Sequence, residues 1–141
     1  MCLEISRNKS VNTKKIKNLI KTNNENGLVF GYKHFRKNRK TGTITSTYSS
    51  SFIWRPSWNF SSRCIKRINE DELYDGEVNR GFHIFLNKKD ALWDMHDFCQ
   101  MNLPFKYFVR KVWFKPEDLV AVGRFSSRPS AVVDKLYARF D

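Results

Sequence analysis

The sequence predicts an α+β domain: a small, mostly antiparallel sheet with one main helix, over about residues 87–101, and a short basic helix near the N-terminus. Several short stretches alternate apolar and polar residues, which is typical of strands. Two stretches clearly space their apolar residues as a helix does. The 141 residues are 40% hydrophobic and 15% aromatic, which is enough for one packed core, so we expect a single domain over residues 1–141.

The first half of the chain predicts a basic helix followed by a hairpin. Leu19 and Ile20 belong to an apolar stripe within Ser10–Thr22, and lysines occupy the remaining faces of that segment. A strand is predicted over residues 28–35, and residues 43–48, which are rich in β-branched side chains, are expected to pair back with it. The connection between the two is predicted to be a mobile, cationic tip built from Arg36, Lys37, Arg39 and Lys40.

The second half predicts a strand, the main helix and then further strands. Gly81–Phe85 reads as a strand, and Asn87 is placed to cap a helix that reaches about Met101 and is stopped by Pro104. The buried stripe of that helix is predicted to contain Leu92, Met95, Phe98 and Cys99. The later strands are predicted at Phe105–Phe114, at Val120–Val122 and within residues 131–140, where a helix is the alternative.

The net charge of +12 lies entirely in the first half of the chain. Residues 1–70 hold fifteen Lys/Arg and three Asp/Glu, whereas residues 71–141 hold eleven of each. A surface that is charged only for solubility usually mixes both signs. The asymmetry therefore predicts an anionic partner, such as nucleic acid, a phosphorylated nucleotide or an acidic protein. The alternative is a solvated, lysine-rich surface without a partner.

Aromatic residues alternate with serines in Tyr48–Arg63, a segment without acidic residues. Aromatic rings among cations are typical of sites that hold single strands or nucleotides. Trp54 and Trp58 flank the Arg55–Pro56 turn and are predicted to face outward together, whereas the alternative places these rings in the core. The predicted ligand-binding residues are Lys33, Arg36, Arg39, Lys40, Trp54, Arg55, Trp58, Arg63 and His83.

Two residues could support catalysis. Removal of Met1 would expose Cys2 as an N-terminal nucleophile with its own amine as the base. His83 lies between Phe82 and Ile84 in a predicted strand, so it points away from both and could bind a phosphate or transfer a proton. The alternative for both residues is a structural side chain.

Cysteine usage and hydropathy limit the class of protein. The three cysteines are widely spaced and form no CxxC pair, which fits reduced thiols and predicts neither a disulfide framework nor a metal site. We predict no cofactor. No apolar run approaches the ~20 residues that cross a bilayer, and the N-terminus lacks a signal-peptide pattern. We therefore expect a cytoplasmic protein that does not enter a membrane.

Three short blocks carry a resemblance: the start Met1-Cys2-Leu3, the step Gly81-Phe82-His83-Ile84-Phe85 with Asp90-Ala91, and Val120-Ala121-Val122-Gly123. Together they resemble a group of short phage and prophage proteins that begin Met-Cys-Leu and carry Gly-Phe-His-x-Phe before a helix. The resemblance covers about a third of the chain and implies a small accessory protein of a mobile element. Such proteins often act by binding, for example by blocking a host defence complex or sequestering its nucleotide signal.

The sequence thus favours a phage-type binding protein that inhibits a host defence by capturing an anionic ligand on its basic N-terminal half. One alternative is a protein–protein inhibitor, like an anti-CRISPR protein, that blocks a nucleic-acid channel or an acidic patch of a defence complex. Another is a small enzyme that uses Cys2 or His83. Homo-oligomers are compatible with a predicted sheet edge.

Overall fold

The computed structural model describes residues 3–4, 11–47, 49–60, 77–78, 81–98, 105–125 and 128–141. Two helices lie in these ranges, α1 (Val11–Thr22) and α2 (Lys88–Phe98). The strands are β1 (Leu3–Glu4), β2 (Asn24–Glu25), β3 (Leu28–Asn38), β4 (Ile44–Ser46), β5 (Ser49–Trp54), β6 (Trp58–Phe60), β7 (Glu77–Val78), β8 (Phe82–Phe85), β9 (Phe105–Phe114), β10 (Leu119–Phe125), β11 (Arg128–Val133) and β12 (Lys135–Ala138).

The described strands form one curled antiparallel sheet, so the predicted α+β class is confirmed. Its strand order is β6-β12-β9-β3-β8-β11-β10-β1-β7. Strands β2 and β4 also pair with β3, and β5 pairs with β4. No helix among the described residues has the length and apolar character needed to cross a membrane.

The pairing of β3 with β9 is the longest in the sheet and defines its two faces. It runs in unbroken antiparallel register from Val29 opposite Phe114 to Asn38 opposite Phe105. Successive strand residues point to opposite faces. Val29 and Phe35 on β3 are buried together with Val112 and Phe114 on β9. We call the face that carries these core residues the inner face, and the opposite one the outer face.

Helix α2 packs against the outer face of β3, and this contact is polar. Its most buried residues are Asp90, Ala91 and Asp94, whereas the predicted stripe residues Leu92 and Met95 are only half-buried. The difference arises because Asp94 contacts a histidine of β3 and Asp90 forms an ion pair with Arg128. The side chain of Phe98, and Cys99 as a whole, lie outside the described part of the chain.

Several predicted boundaries change in the fold. Strand β3 continues through Asn38, because its last residues pair with both β4 and β9. The predicted mobile connection is thereby reduced to a turn over residues 39–42, which the Asn38 side chain holds by hydrogen bonds. The residues between 131 and 140 form the end of β11 and all of β12, so the helical alternative is wrong.

Candidate functional site

A row of four aromatic side chains crosses the outer face of four adjacent strands. Trp58 on β6 lies opposite Tyr137 on β12. Tyr137 lies opposite Trp113 on β9, and Trp113 lies opposite Phe30 on β3. Because directly paired residues share a face, all four rings point to the same side of the sheet. We call Trp58, Tyr137, Trp113 and Phe30 the aromatic row.

The aromatic row is supported from below by the core and is open to solvent above. Its four members are half-buried. Their inner-face neighbours along the strands are buried, among them Asn59, Leu136 and Val112. The Trp58 and Tyr137 ring centroids are 5.4 Å apart, and those of Tyr137 and Trp113 are 6.0 Å apart, both in edge-to-face geometry. The row is therefore a firm surface with exposed ring area.

Cations flank the aromatic row on both sides. On one side, the Lys111 ammonium lies 4.0 Å from the Phe30 ring centroid, and Arg139 follows Tyr137 by two residues. On the other side, the Lys115 ammonium lies 5.4 Å from the Trp58 centroid, and that of Lys135 lies 5.7 Å from the Phe60 centroid. A cation over a ring can also attract an anion, so this face suits a ligand with both flat rings and negative charge.

The two sides of the row differ in how far their charge is neutralised. Lys111 forms an ion pair with Glu25, and this hydrogen bond holds the pKa of the Glu25 carboxyl below its usual value. Arg139 forms an ion pair with Asp141 at 3.1 Å. Among the described residues, no carboxylate lies within ion-pair distance of Lys115 or Lys135. The Lys115 and Lys135 side therefore presents the less compensated positive charge.

A second cationic surface lies at the far end of the β3–β9 pair. Lys37 on β3 and Lys106 on β9 are directly opposite each other and, by the alternation of the strands, point to the inner face, whereas Arg36 points to the outer face. The Arg36 guanidinium lies 4.4 Å from the Phe105 ring centroid, and its Nε donates a hydrogen bond to Thr45 Oγ1 at 3.1 Å. Two more cations lie in the turn that follows β3. We call this surface the hairpin end, and it consists of Arg36, Lys37, Arg39, Lys40 and Lys106.

Between these two surfaces, a chain of buried polar groups connects β3 to α2. His34 Nε2 is 2.6 Å from Asp94 Oδ2, and His34 Nδ1 is 2.7 Å from Thr47 Oγ1. His34 is 4% exposed and Asp94 is fully buried. Burial lowers the pKa of the His34 imidazole, although its hydrogen bond to Asp94 acts in the opposite direction. The geometry joins the helix to the sheet through a buried contact between charged and polar groups.

Lys33 and His83, both predicted to bind a ligand, are buried side chains. The Lys33 ammonium donates a hydrogen bond to the His83 carbonyl oxygen at 2.9 Å and lies 5.7 Å from the Trp54 ring centroid. Burial lowers the pKa of Lys33 to about 8. His83 is 7% exposed within β8. Lys33 points to the inner face, whereas the pairing of Phe85 with Tyr32 places His83 on the outer face, where its burial keeps it from the open area of the aromatic row.

The prediction that Trp54 and Trp58 face outward together is wrong for Trp54. Trp54 is 3% exposed, and its ring packs against Phe35, Phe52 and Phe82 on the inner face. Its indole N–H donates to Ser46 Oγ at 2.9 Å. Trp58 belongs to a different strand and carries one end of the aromatic row.

The remaining predicted residues are divided among several places. Arg36, Arg39 and Lys40 come together at the hairpin end, with Arg39 and Lys40 exposed. Arg55 is exposed between β5 and β6. Arg63 and Cys2 lie outside the described residues, so the ligand-binding role of Arg63 and the nucleophile role of Cys2 stay predictions.

Sequence reasoning missed the part of the site that comes from the second half of the chain. Trp113 and Tyr137 and all four flanking cations belong to residues 71–141, whose net charge is zero. A signal was present in residues 135–139, where Lys, Tyr and Arg alternate with Leu and Ala. That alternation places the polar and aromatic residues on one face of a strand. It does not show which other strands lie beside it.

No group of three or more metal-ligating side chains occurs in the ranges that the structure describes. No family model matches this sequence, and comparison with curated proteins and with solved structures finds no match either.

Proposed function

We propose that this protein binds single-stranded nucleic acid on its outer sheet face, with bases on the aromatic row and phosphates near the flanking cations. The observation that carries the proposal is the alignment of four half-buried rings across four adjacent strands, with cations on both sides. Domains that hold single strands combine these two features, and some do so on the face of a sheet.

The chemistry favours a single strand over a duplex. Stacking on a protein ring requires an exposed base face, and in a duplex those faces are covered by neighbouring base pairs. Each base stacked on an aromatic side chain contributes about 1–3 kcal/mol to binding. The flanking cations add an electrostatic part that weakens with salt, because phosphate neutralisation releases counterions.

The first test is binding of fluorescent oligothymidylate, oligoadenylate and their duplex at low salt, measured by anisotropy. We expect either single strand to bind more tightly than the duplex, and we expect Trp58→Ala to weaken binding about tenfold. Trp93→Ala is the matched control, because Trp93 is an exposed tryptophan on α2 and lies outside the aromatic row. Equal affinity of the two variants, or no binding of single strands by the unaltered protein, would refute the proposal.

The same experiment separates the two anionic ligands that the sequence predicts. A protein that sequesters a phosphorylated nucleotide would bind mononucleotides as tightly as oligonucleotides of the same base. A single-strand binder gains affinity as bases are added. The row spans four strands, so it offers more ring surface than one base can cover.

The phage-type role in inhibiting a host defence stays a prediction from the resemblance of the three sequence blocks. Single-strand binding would fit that role, because an inhibitor could compete for a nucleic acid that a defence complex must hold. The protein–protein alternative also stays open as a prediction. It would be favoured by capture of a host defence complex that persists after nuclease treatment.

A further inference from the structure

We infer that the hairpin end is a separate phosphate-binding site, and that one nucleic-acid strand of sufficient length contacts it and the aromatic row at the same time. The inference rests on the proposed function and adds to it a second contact and a dependence on ligand length. The cations of the hairpin end take no part in the contacts proposed for the aromatic row.

The charge at the hairpin end is concentrated in five cations that form no ion pair with any described carboxylate. Lys37 and Lys106 are directly paired across β3 and β9, and like charges in such a pair repel each other. A bound phosphate between the strands would relieve this repulsion, so the site favours an anion.

The backbone of the hairpin end is held in place by hydrogen bonds. Asn38 Oδ1 accepts from the backbone N–H groups of Lys40 at 2.9 Å and Thr41 at 3.3 Å. The Gly42 N–H donates to the Asn38 carbonyl oxygen at 2.8 Å, and Gly42 adopts φ 75°, a conformation that favours glycine. The positions from which Arg39 and Lys40 extend are therefore fixed before a ligand arrives, which lowers the entropic cost of binding.

The hairpin end is suited to phosphates rather than to bases. Its nearest ring, Phe105, is covered by the Arg36 guanidinium, and Arg36 is itself held by Thr45. The other four members are lysines and an arginine without a ring beneath them in the described contacts. Arginine and lysine side chains bind phosphate oxygens well and carry no base preference in that contact.

The hairpin end and the aromatic row are too far apart for one small ligand to contact both. Lys106 and Trp113 are seven residues apart on β9 and point to opposite faces of the sheet, so a strand that contacts both must pass around the end of the β3–β9 pair. At about 3.3 Å per residue their separation along the strand is about 23 Å. Helix α2 lies between them, because it is joined to the outer face of β3 at His34. A mononucleotide or a very short oligonucleotide can therefore occupy only one of the two surfaces.

A strand that reaches both surfaces gains affinity without any new kind of contact. Once its bases stack on the aromatic row, its free end is held near the hairpin end at a high effective concentration. Affinity should therefore rise in a step at the length that first spans the two sites. Each additional phosphate contact also increases the slope of log affinity against log salt by about 0.7 for single strands.

The experiment measures binding of oligothymidylates from about 3 to about 15 nucleotides, which covers the site sizes of typical single-strand-binding folds. The test variant is K37Q/R39Q/K40Q, which alters three exposed side chains. The control variant K21Q/K88Q/K89Q removes the same charge from exposed positions on α1 and α2. Circular dichroism and thermal melts verify that both variants fold.

We expect the K37Q/R39Q/K40Q variant to bind the shortest oligomers as the unaltered protein does, and to lose about tenfold or more on the longest. Its salt slope on long oligomers should fall by about 2, which corresponds to three phosphate contacts. The control should keep both the step and the slope. Inorganic polyphosphate, which has no bases, should bind the Trp58→Ala variant as tightly as the unaltered protein and bind K37Q/R39Q/K40Q more weakly.

Each other outcome has a distinct meaning. Equal losses in the test and control variants at every length would overturn the two-site inference and leave binding on the aromatic row intact. A loss in the test variant that is as large for short oligomers as for long ones would make the hairpin end the primary site, which also overturns it. Absence of single-strand binding by the unaltered protein would refute the proposed function itself.

Discussion

Trp54 and Trp58 are four residues apart, and the fold places them on opposite faces of the sheet. Trp54 is enclosed by three phenylalanines on the inner face, with its indole N–H bonded to Ser46. Trp58 has its ring partly in solvent, with Tyr137 at one edge and Lys115 above it. The same residue type thus serves the core in one strand and an open surface in the next.

The comparison shows what decides the role of an aromatic residue in a sheet. In one continuous strand, residues four apart share a face. Between Trp54 and Trp58 the chain leaves β5, passes through Arg55–Ser57 and enters β6, which pairs with a different strand. The alternation therefore restarts at β6, and spacing in the sequence no longer determines the face.

The largest expected effect is a difference in the free energy of unfolding between alanine variants of Trp54 and Trp58. Trp54→Ala should lower the free energy of unfolding by about 3–5 kcal/mol, because it leaves a cavity among Phe35, Phe52 and Phe82. Trp58→Ala should cost about 1 kcal/mol or less, since its ring is already partly hydrated. Urea denaturation of both variants measures the difference. Equal costs would show that the two rings are not divided between core and surface.

The same comparison shows how much the sequence could predict. The strand at Phe105–Phe114 and the start of α2 were predicted where they occur, because local patterns of alternation and capping specify them. The aromatic row was not predicted, because it needs the register of four strands that are far apart in the chain. No local pattern encodes that Trp113 lies between Phe30 and Tyr137.

The charge asymmetry was informative for one surface and misleading for the other. Four of the five cations at the hairpin end come from residues 1–70, as the asymmetry predicted, and the strand pairing adds Lys106. The cations beside the aromatic row all come from the neutral half. Acidic residues in the same half of the sequence cancel the charge of these four cations in the net charge. In the fold, however, only Lys111 and Arg139 among the four form ion pairs with described residues.

The second prediction tests the polar contact that joins α2 to the outer face. Asp94→Asn should lower the free energy of unfolding by about 1.5–3 kcal/mol, because it replaces a charged hydrogen-bond acceptor for the buried His34. Asp97→Asn, an exposed position on the same helix, is the control and should have little effect. If both variants unfold at the same urea concentration, the His34–Asp94 contact does not stabilise the helix on the sheet.

The third prediction concerns Lys33, whose ammonium group is buried on the inner face of the sheet. The pKa of Lys33 is about 8 in the folded protein and near its ordinary 10.5 when unfolded. Between these values the unfolded chain binds the extra proton, so the Lys33 contribution to stability should improve as the pH rises from about 8 towards 10. The measurement is the difference in unfolding free energy between the unaltered protein and Lys33→Met across that range. Lys37→Met, an exposed lysine on the same strand, should give a flat difference.

The smallest expected effect is a difference in the salt dependence of binding between the two pairs of cations that flank the aromatic row. Lys115 and Lys135 are free of ion pairs among the described residues, whereas Lys111 and Arg139 have carboxylate partners. A phosphate that approaches the paired side must compete with Glu25 or Asp141. We therefore expect K115Q/K135Q to reduce the salt slope of oligothymidylate binding by about 1.4, from two lost phosphate contacts. K111Q/R139Q should reduce it by less, and the reverse order would place the phosphates on the side of Glu25 and Asp141.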